Sequence, residues 1–295
     1  MTDSRRWIAP TRFTHDTAEG ALAGWRWPNE GKPPLLFCHA TGFCASVYKQ
    51  MLQLLSDDFD IFALDMRGHG RTSLPVDPHG LRSWRIYARD ISAFLDWRSQ
   101  NAWTLSGHSM GAVTAAMAAT GRCDIQALKL IEPVAMHPLY ALAAKTPFWG
   151  LAAARIPLVR QASKRRSAWR DKAAAQASYA RKALFRKWVD GVLEDYLEDG
   201  LTKTANGVAL ACDPVWEAAT FAAQANDFWP AVARAPAPVA VLAAGPGSST
   251  VGPDARRRFR RCGAAVTSAD SACHLIPMED PVLSAEFILG APICS

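Results

Sequence analysis

Short, nearly unbroken apolar runs alternate with longer amphipathic stretches over the first 133 residues of the chain. The runs Leu35–His39, Ile61–Asp65, Trp103–Leu105 and Ala127–Ile131 read as strands covered on both faces, because a sheet sandwiched between helices has no polar side to show. Residues 83–97 instead place Ile86, Tyr87, Ile91, Phe94 and Leu95 on one helical stripe, the pattern of a crossover helix. Strands separated by helix-length connections predict a parallel sheet.

From Val134 to about Asn226 the strand rhythm stops and Ala-rich, basic, Trp-containing helical sequence replaces it. It resumes with Val239–Ala244, followed by a basic helix over Asp254–Arg261, a short strand over Ala264–Thr267 and a closing helix after Pro281. The expected fold class is therefore α/β, a mostly parallel central sheet built by residues 1–133 and 227–295, with a helical cap or lid inserted over 134–226. At 295 residues and 49% apolar composition the chain is large enough to bury such a core as one domain.

Charge and cysteine usage narrow the setting. Between Lys145 and Lys187 there are twelve Lys or Arg and one acid, Asp171, so this segment holds +11 of a chain whose net charge is +6. Its main reading is a solvated helix face, and the alternative is weak contact with an anionic surface or substrate. No recognised nucleic-acid module is present, so no nucleic-acid partner is expected. Apolar runs fall short of the ~20 residues of a transmembrane span. The N-terminus, with Asp3, Arg5 and Arg6, lacks a secretory pattern. Seven scattered cysteines, Cys294 among them, fit reduced thiols and show no zinc spacing. The expected location is cytoplasmic, and no cofactor or metal is expected.

The segment that carries chemistry is GHSMG at 107–111, between the strand ending near Ser106 and the Ala-rich helix from Ala112. A strand, a sharp turn and a helix lift a serine Oγ above the sheet, while small flanking residues let the turn close. A serine hydroxyl is a weak nucleophile unless a base near neutrality takes its proton.

Four segments in order resemble the α/β-hydrolase family: HATGF at 39–43, DMRGHGRTS at 65–73, GHSMG at 107–111 and CHLIPMEDP at 273–281. The resemblance spans nearly the whole chain outside the cap. It implies the fold of that family, Ser109 as nucleophile and His274 as base, and an oxyanion hole at the backbone amides of Met110 and Thr41. Ala40 departs from the commoner His-Gly opening of that loop. His39, His69 and His108 belong to the loop motifs and are expected to be structural. The acid is the largest departure. The penultimate strand runs into Gly245-Pro246-Gly247-Ser248-Ser249, where many relatives carry an aspartate. The role therefore passes to Glu132, in LIEPV at 130–134, with Asp254 and Asp270 as alternatives.

The resemblance implies a serine hydrolase acting on a small-molecule carboxylic ester or lactone through an acyl-enzyme. Acyl transfer, carbon–carbon bond hydrolysis and peracid formation use the same triad. Outside enzymes, the competing reading is a ligand receptor that has kept the shell. The cap aromatics Phe148, Trp149, Trp169, Trp188 and Trp216 are candidates for lining a pocket, although helix packing is their commoner use.

Overall fold

The computed structural model describes residues 7–290. Cys294 and the N-terminal residues Asp3, Arg5 and Arg6 lie outside the described residues.

Eight strands make the main sheet: β1 (Thr11–Thr17), β2 (Gly20–Trp27), β3 (Pro34–Cys38), β4 (Asp60–Leu64), β5 (Trp103–His108), β6 (Ile125–Ile131), β10 (Val239–Ala244) and β11 (Ala265–Ala269). Three short strands, β7 (Ala168–Trp169), β8 (Leu201–Thr204) and β9 (Gly207–Leu210), form a separate small sheet. The main order is β1-β2-β4-β3-β5-β6-β10-β11. The β1/β2 and β2/β4 pairs are antiparallel and the rest are parallel.

The parallel strands form where the apolar runs predicted them, because both faces of the sheet are covered. On one face Phe62, Phe94 and Trp103 pack together; on the other Trp27, Phe37 and Tyr48 are buried. Each such side chain contributes about 1.5–3 kcal/mol relative to remaining exposed. The crossover helix Arg85–Arg98 buries Tyr87, Ala88, Ile91, Phe94 and Leu95 along one stripe and ends on Ser99, whose φ is 49°.

Two hairpins depart from the sequence expectation. The edge pair β1/β2 turns through Ala18 and Glu19, and the segment from Val134 to Asn226 contains β7, β8 and β9 among its helices. The β8/β9 turn is Ala205-Asn206 with Gly207 following at φ 131°. An Asn-Gly pair between β-prone stretches marks a hairpin, and here it was masked by the helical sequence on either side. No helix among the described residues is long and apolar enough to cross a membrane.

Candidate active site

Ser109 stands between β5 and the helix Met110–Ala119, with φ 57° and ψ −116°. That conformation is strained for an L-residue and persists because its surroundings fix it. A Cβ at Gly107 would lie 2.5 Å from the Gly111 carbonyl carbon, and one at Gly111 would lie 2.1 Å from the Cys38 carbonyl oxygen. Glycine at both positions is therefore what allows helix, elbow and β3 to close around the serine.

Ser109, Glu132 and His274 come from different elements and meet at the carboxyl edge of the sheet, where open α/β sheets build their sites. Ser109 Oγ lies 3.0 Å from His274 Nε2, and His274 Nδ1 lies 2.9 Å from Glu132 Oε2. Asp254 is exposed and pairs with Arg257. Asp270 is exposed too, and only Glu132 among the three carboxylates forms a hydrogen bond with His274.

Glu132 follows β6 and is fully buried, with φ 46°. The Ala244 amide donates to its Oε1 at 2.6 Å, the Ser249 hydroxyl donates to the same oxygen, and the Thr250 amide donates to Oε2 at 2.8 Å. Burial alone would push this carboxyl up. The donors His274, Ser249 and Ala244 outweigh it and hold the group below the ordinary glutamate range. The loop after β10, which lacks a carboxylate of its own, thus supplies the donors for one that arrives from β6. Ser249 and Thr250 were not singled out from the sequence; a serine-rich loop at that strand end was the available signal.

The three loop histidines are braces. The Met66 amide donates to His39 Nε2 at 2.8 Å and the Gly42 amide donates to His69 Nε2 at 3.0 Å, which ties the 39–43 loop to the turn after β4. His108 Nε2 donates to the backbone carbonyl of His274 at 2.8 Å, and the Tyr48 hydroxyl donates to His108 Nδ1 at 2.9 Å. The same hydroxyl accepts the Ala40 amide at 3.1 Å. Burial, with the neighbouring His274, pushes the His108 pKa down to about 3 and keeps the ring neutral.

Thr41 and Met110 flank Ser109. The Thr41 hydroxyl donates to the Met110 sulfur at 3.3 Å, and the backbone N–H groups of both residues have no acceptor among the described residues. Such an arrangement can transfer the serine proton to an imidazole oriented by a carboxylate, beside two amides free to receive developing negative charge.

A sequence model of the alpha/beta hydrolase family matches residues 35–286. The chain belongs to the alpha/beta hydrolase family. A human serine hydrolase-like protein is 33% identical over 100 residues, covering 33% of this chain and 48% of that protein. The 3-oxoadipate enol-lactonase 2 of Acinetobacter baylyi is 31% identical over 83 residues, covering 28% of this chain and 30% of that protein. The matched segments thus span half or less of these curated relatives. The crystal structure of E-2-(acetamidomethylene)succinate hydrolase superposes with a TM-score of 0.78 at 19% identity, covering 96% of this chain and 98% of that one. At that identity the likeness is one of fold.

In this alpha/beta hydrolase family member a cavity of about 800 Å³ extends from Ser109 and His274 to residues of the 134–226 segment. Its aromatic lining is Phe43, Trp84, Tyr179, Phe185, Tyr196 and Phe221, and none of the five cap aromatics singled out from the sequence takes part. Trp149, Trp169, Trp188 and Trp216 are buried in packing, and Phe148 is exposed. Indoles of that size are spent on joining short helices to their support: Trp216 Nε1 donates to the Arg67 carbonyl and Trp149 Nε1 to that of Ala222. The wall also carries charge: Lys182 and an ion pair in which Arg165 Nη1 donates to both Glu217 oxygens at 2.6 and 2.7 Å.

Proposed function

We propose that the protein is a serine hydrolase that cleaves a carboxylic ester or lactone through an acyl-enzyme, with residues 134–226 as a cap over a core of 1–133 and 227–295. The observation that carries this reading is the continuous hydrogen-bonded series Ser109 Oγ, His274 Nε2, His274 Nδ1 and Glu132 Oε2 at the cavity wall. Ser109 Oγ attacks the acyl carbon as His274 takes its proton, and the carbonyl oxygen becomes an oxyanion held by the Thr41 and Met110 amides. Collapse expels the alkoxide, which leaves with the proton from His274. Water then attacks the acyl-enzyme with the same imidazole as base, releasing the acid and restoring Ser109. In a lactone the leaving alkoxide stays tethered to the acyl group.

Glu132 orients His274 and stabilises the imidazolium formed in each step. The mainly apolar lining supports a small-to-medium substrate whose acyl or alkyl part is uncharged. A reducing, cytoplasmic setting, read from the scattered cysteines, belongs to the same proposal.

The test is a hydrolysis screen of nitrophenyl esters from acetyl to dodecanoyl, together with simple lactones, on the parent protein and Ser109→Ala. Turnover by the parent that Ser109→Ala loses while keeping its circular dichroism supports the reading. A folded parent that cleaves no ester or lactone in the series contradicts it.

A further inference from the structure

Large apolar side chains left on the described surface are distributed unevenly. Of thirteen that are exposed, seven lie between Leu139 and Leu184. Leu139, Leu142, Phe148 and Leu151 are between 63% and 76% exposed, values that leave most of each side chain in water. The helices Pro138–Ala143 and Trp149–Ala153 turn Ala144, Trp149 and Ala153 inward onto Ala225. Phe148 and Leu151 therefore lie outside that packed stripe. Leu158 and Leu184, each about half exposed, also line the cavity that holds Ser109. Exposed apolar side chains of the same segment thus also reach the cavity.

The same segment is basic. Lys145 pairs with Asp227, Arg165 with Glu217 and Arg170 with Asp171. The other nine Lys and Arg between Lys145 and Lys187 form no ion pair among the described residues. Exposed apolar groups by themselves would fit a second copy of the chain, but pairing this face with itself brings two segments of +11 together, and like fields repel. A surface that offers hydrocarbon beneath a layer of negative charge complements both features.

We propose that the cap segment 138–187 docks the hydrolase on an anionic lipid surface. Leu139, Leu142, Phe148 and Leu151 enter the boundary between headgroups and acyl chains, the unpaired Lys and Arg meet the headgroups, and the cavity mouth at Leu158 and Leu184 faces the bilayer. Delivery of an acyl substrate from that surface rests on the hydrolytic reading above; the docking itself does not.

Flotation with phosphatidylcholine vesicles, with and without phosphatidylglycerol, tests the docking on both the parent and Ser109→Ala, so that binding is read apart from turnover. Both proteins are expected to float only with the anionic vesicles, with association roughly tenfold or more weaker as NaCl rises from about 0.05 to about 0.5 M. Phe148→Ser with Leu151→Ser, and separately Arg155→Glu with Arg160→Glu, should each abolish flotation while leaving turnover of a soluble short-chain ester unchanged. Absence of flotation by the parent, equal binding to vesicles lacking phosphatidylglycerol, or unaltered binding by both variants overturns the proposal. So does a dimer in sedimentation equilibrium that Phe148→Ser with Leu151→Ser breaks while no vesicle binds, which would assign the apolar face to a second copy.

Discussion

The His108 ring holds the backbone of His274: Nε2 donates to the His274 carbonyl at 2.8 Å, while Tyr48 occupies the other nitrogen and also binds the Ala40 amide. One buried neutral imidazole thereby connects the serine turn, the histidine segment and the 39–43 loop.

His108→Ala should therefore lower kcat by roughly tenfold to a hundredfold, since catalytic geometry displaced by about 1 Å costs that much. KM should change little. His108→Gln, which can still donate to the His274 carbonyl, should recover part of the loss. Steady-state kinetics on one activated ester decides it; a His108→Ala protein with parental kcat would show that the contact positions nothing.

Strain at Ser109 has a measurable counterpart in stability. At φ 57° and ψ −116° an alanine carries the same backbone penalty as the serine, whereas glycine does not. Ser109→Gly should be more stable than Ser109→Ala by about 1 kcal/mol, although both should lack ester turnover. Urea midpoints of the two variants provide the comparison, and equal midpoints would mean that the turn is not strained.

Asp65 supplies a pH dependence. It is buried beneath the turn after β4, where the Ala45 amide donates to Oδ1 at 2.8 Å and the Arg71 amide to Oδ2 at 2.9 Å. Burial outweighs these donors and raises its pKa to about 7. For a carboxyl raised on folding, the contribution to stability is fully present below the unfolded value and lost as pH rises through about 7. The stability of the parent relative to Asp65→Asn should thus fall between about pH 5 and about pH 8. Urea midpoints of both proteins across that range are the measurement; a difference that stays level with pH would mean that the amide donors hold Asp65 charged throughout.

Much of this architecture was legible from the chain because the signals coincided with what the fold needs. β3 and β10 are apolar throughout and β4, β5 and β6 mainly so, since both faces are covered, and GHSMG carries the small residues that its turn requires. Ser109, Glu132 and His274 could be named from motif order and from the missing carboxylate after β10. The grip of Ser249 and Thr250 on Glu132 could not, because it depends on how a loop folds back across more than a hundred residues of sequence. His108 read as structural, which is correct in kind, yet its partner is a backbone carbonyl and carries no residue signature. Between 134 and 226, Asn206-Gly207 is a visible turn signal outweighed by the surrounding helical composition. The cavity aromatics were obscured because two of the six, Phe43 and Trp84, lie within 1–133, and the four from 134–226 are Tyr179, Phe185, Tyr196 and Phe221 rather than that segment's tryptophans.

Glu132→Gln separates the acid from its alternatives. Loss of the carboxylate that accepts from His274 Nδ1 should cut kcat by up to ~10⁴ with KM nearly unchanged. Because Oε1 and Oε2 also accept the Ala244 and Thr250 amides, the glutamine NH₂ must face a donor, and a stability loss of about 1–3 kcal/mol should accompany it. Asp254→Asn and Asp270→Asn should remain close to parental kinetics. Collapse of either aspartate variant with Glu132→Gln nearly unaffected would transfer the role.

The most direct measurement of the central claim is covalent labelling by a fluorophosphonate probe, with the modified peptide identified by mass spectrometry. An activated serine attacks phosphorus, forms the Ser Oγ–P bond and expels fluoride, whereas an ordinary buried hydroxyl does not react. The account predicts one adduct on the peptide that contains Ser109, no adduct in Ser109→Ala, and labelling slowed severely in His274→Ala. A folded parent protein that stays unlabelled, or that carries the adduct on a peptide without Ser109, would contradict it.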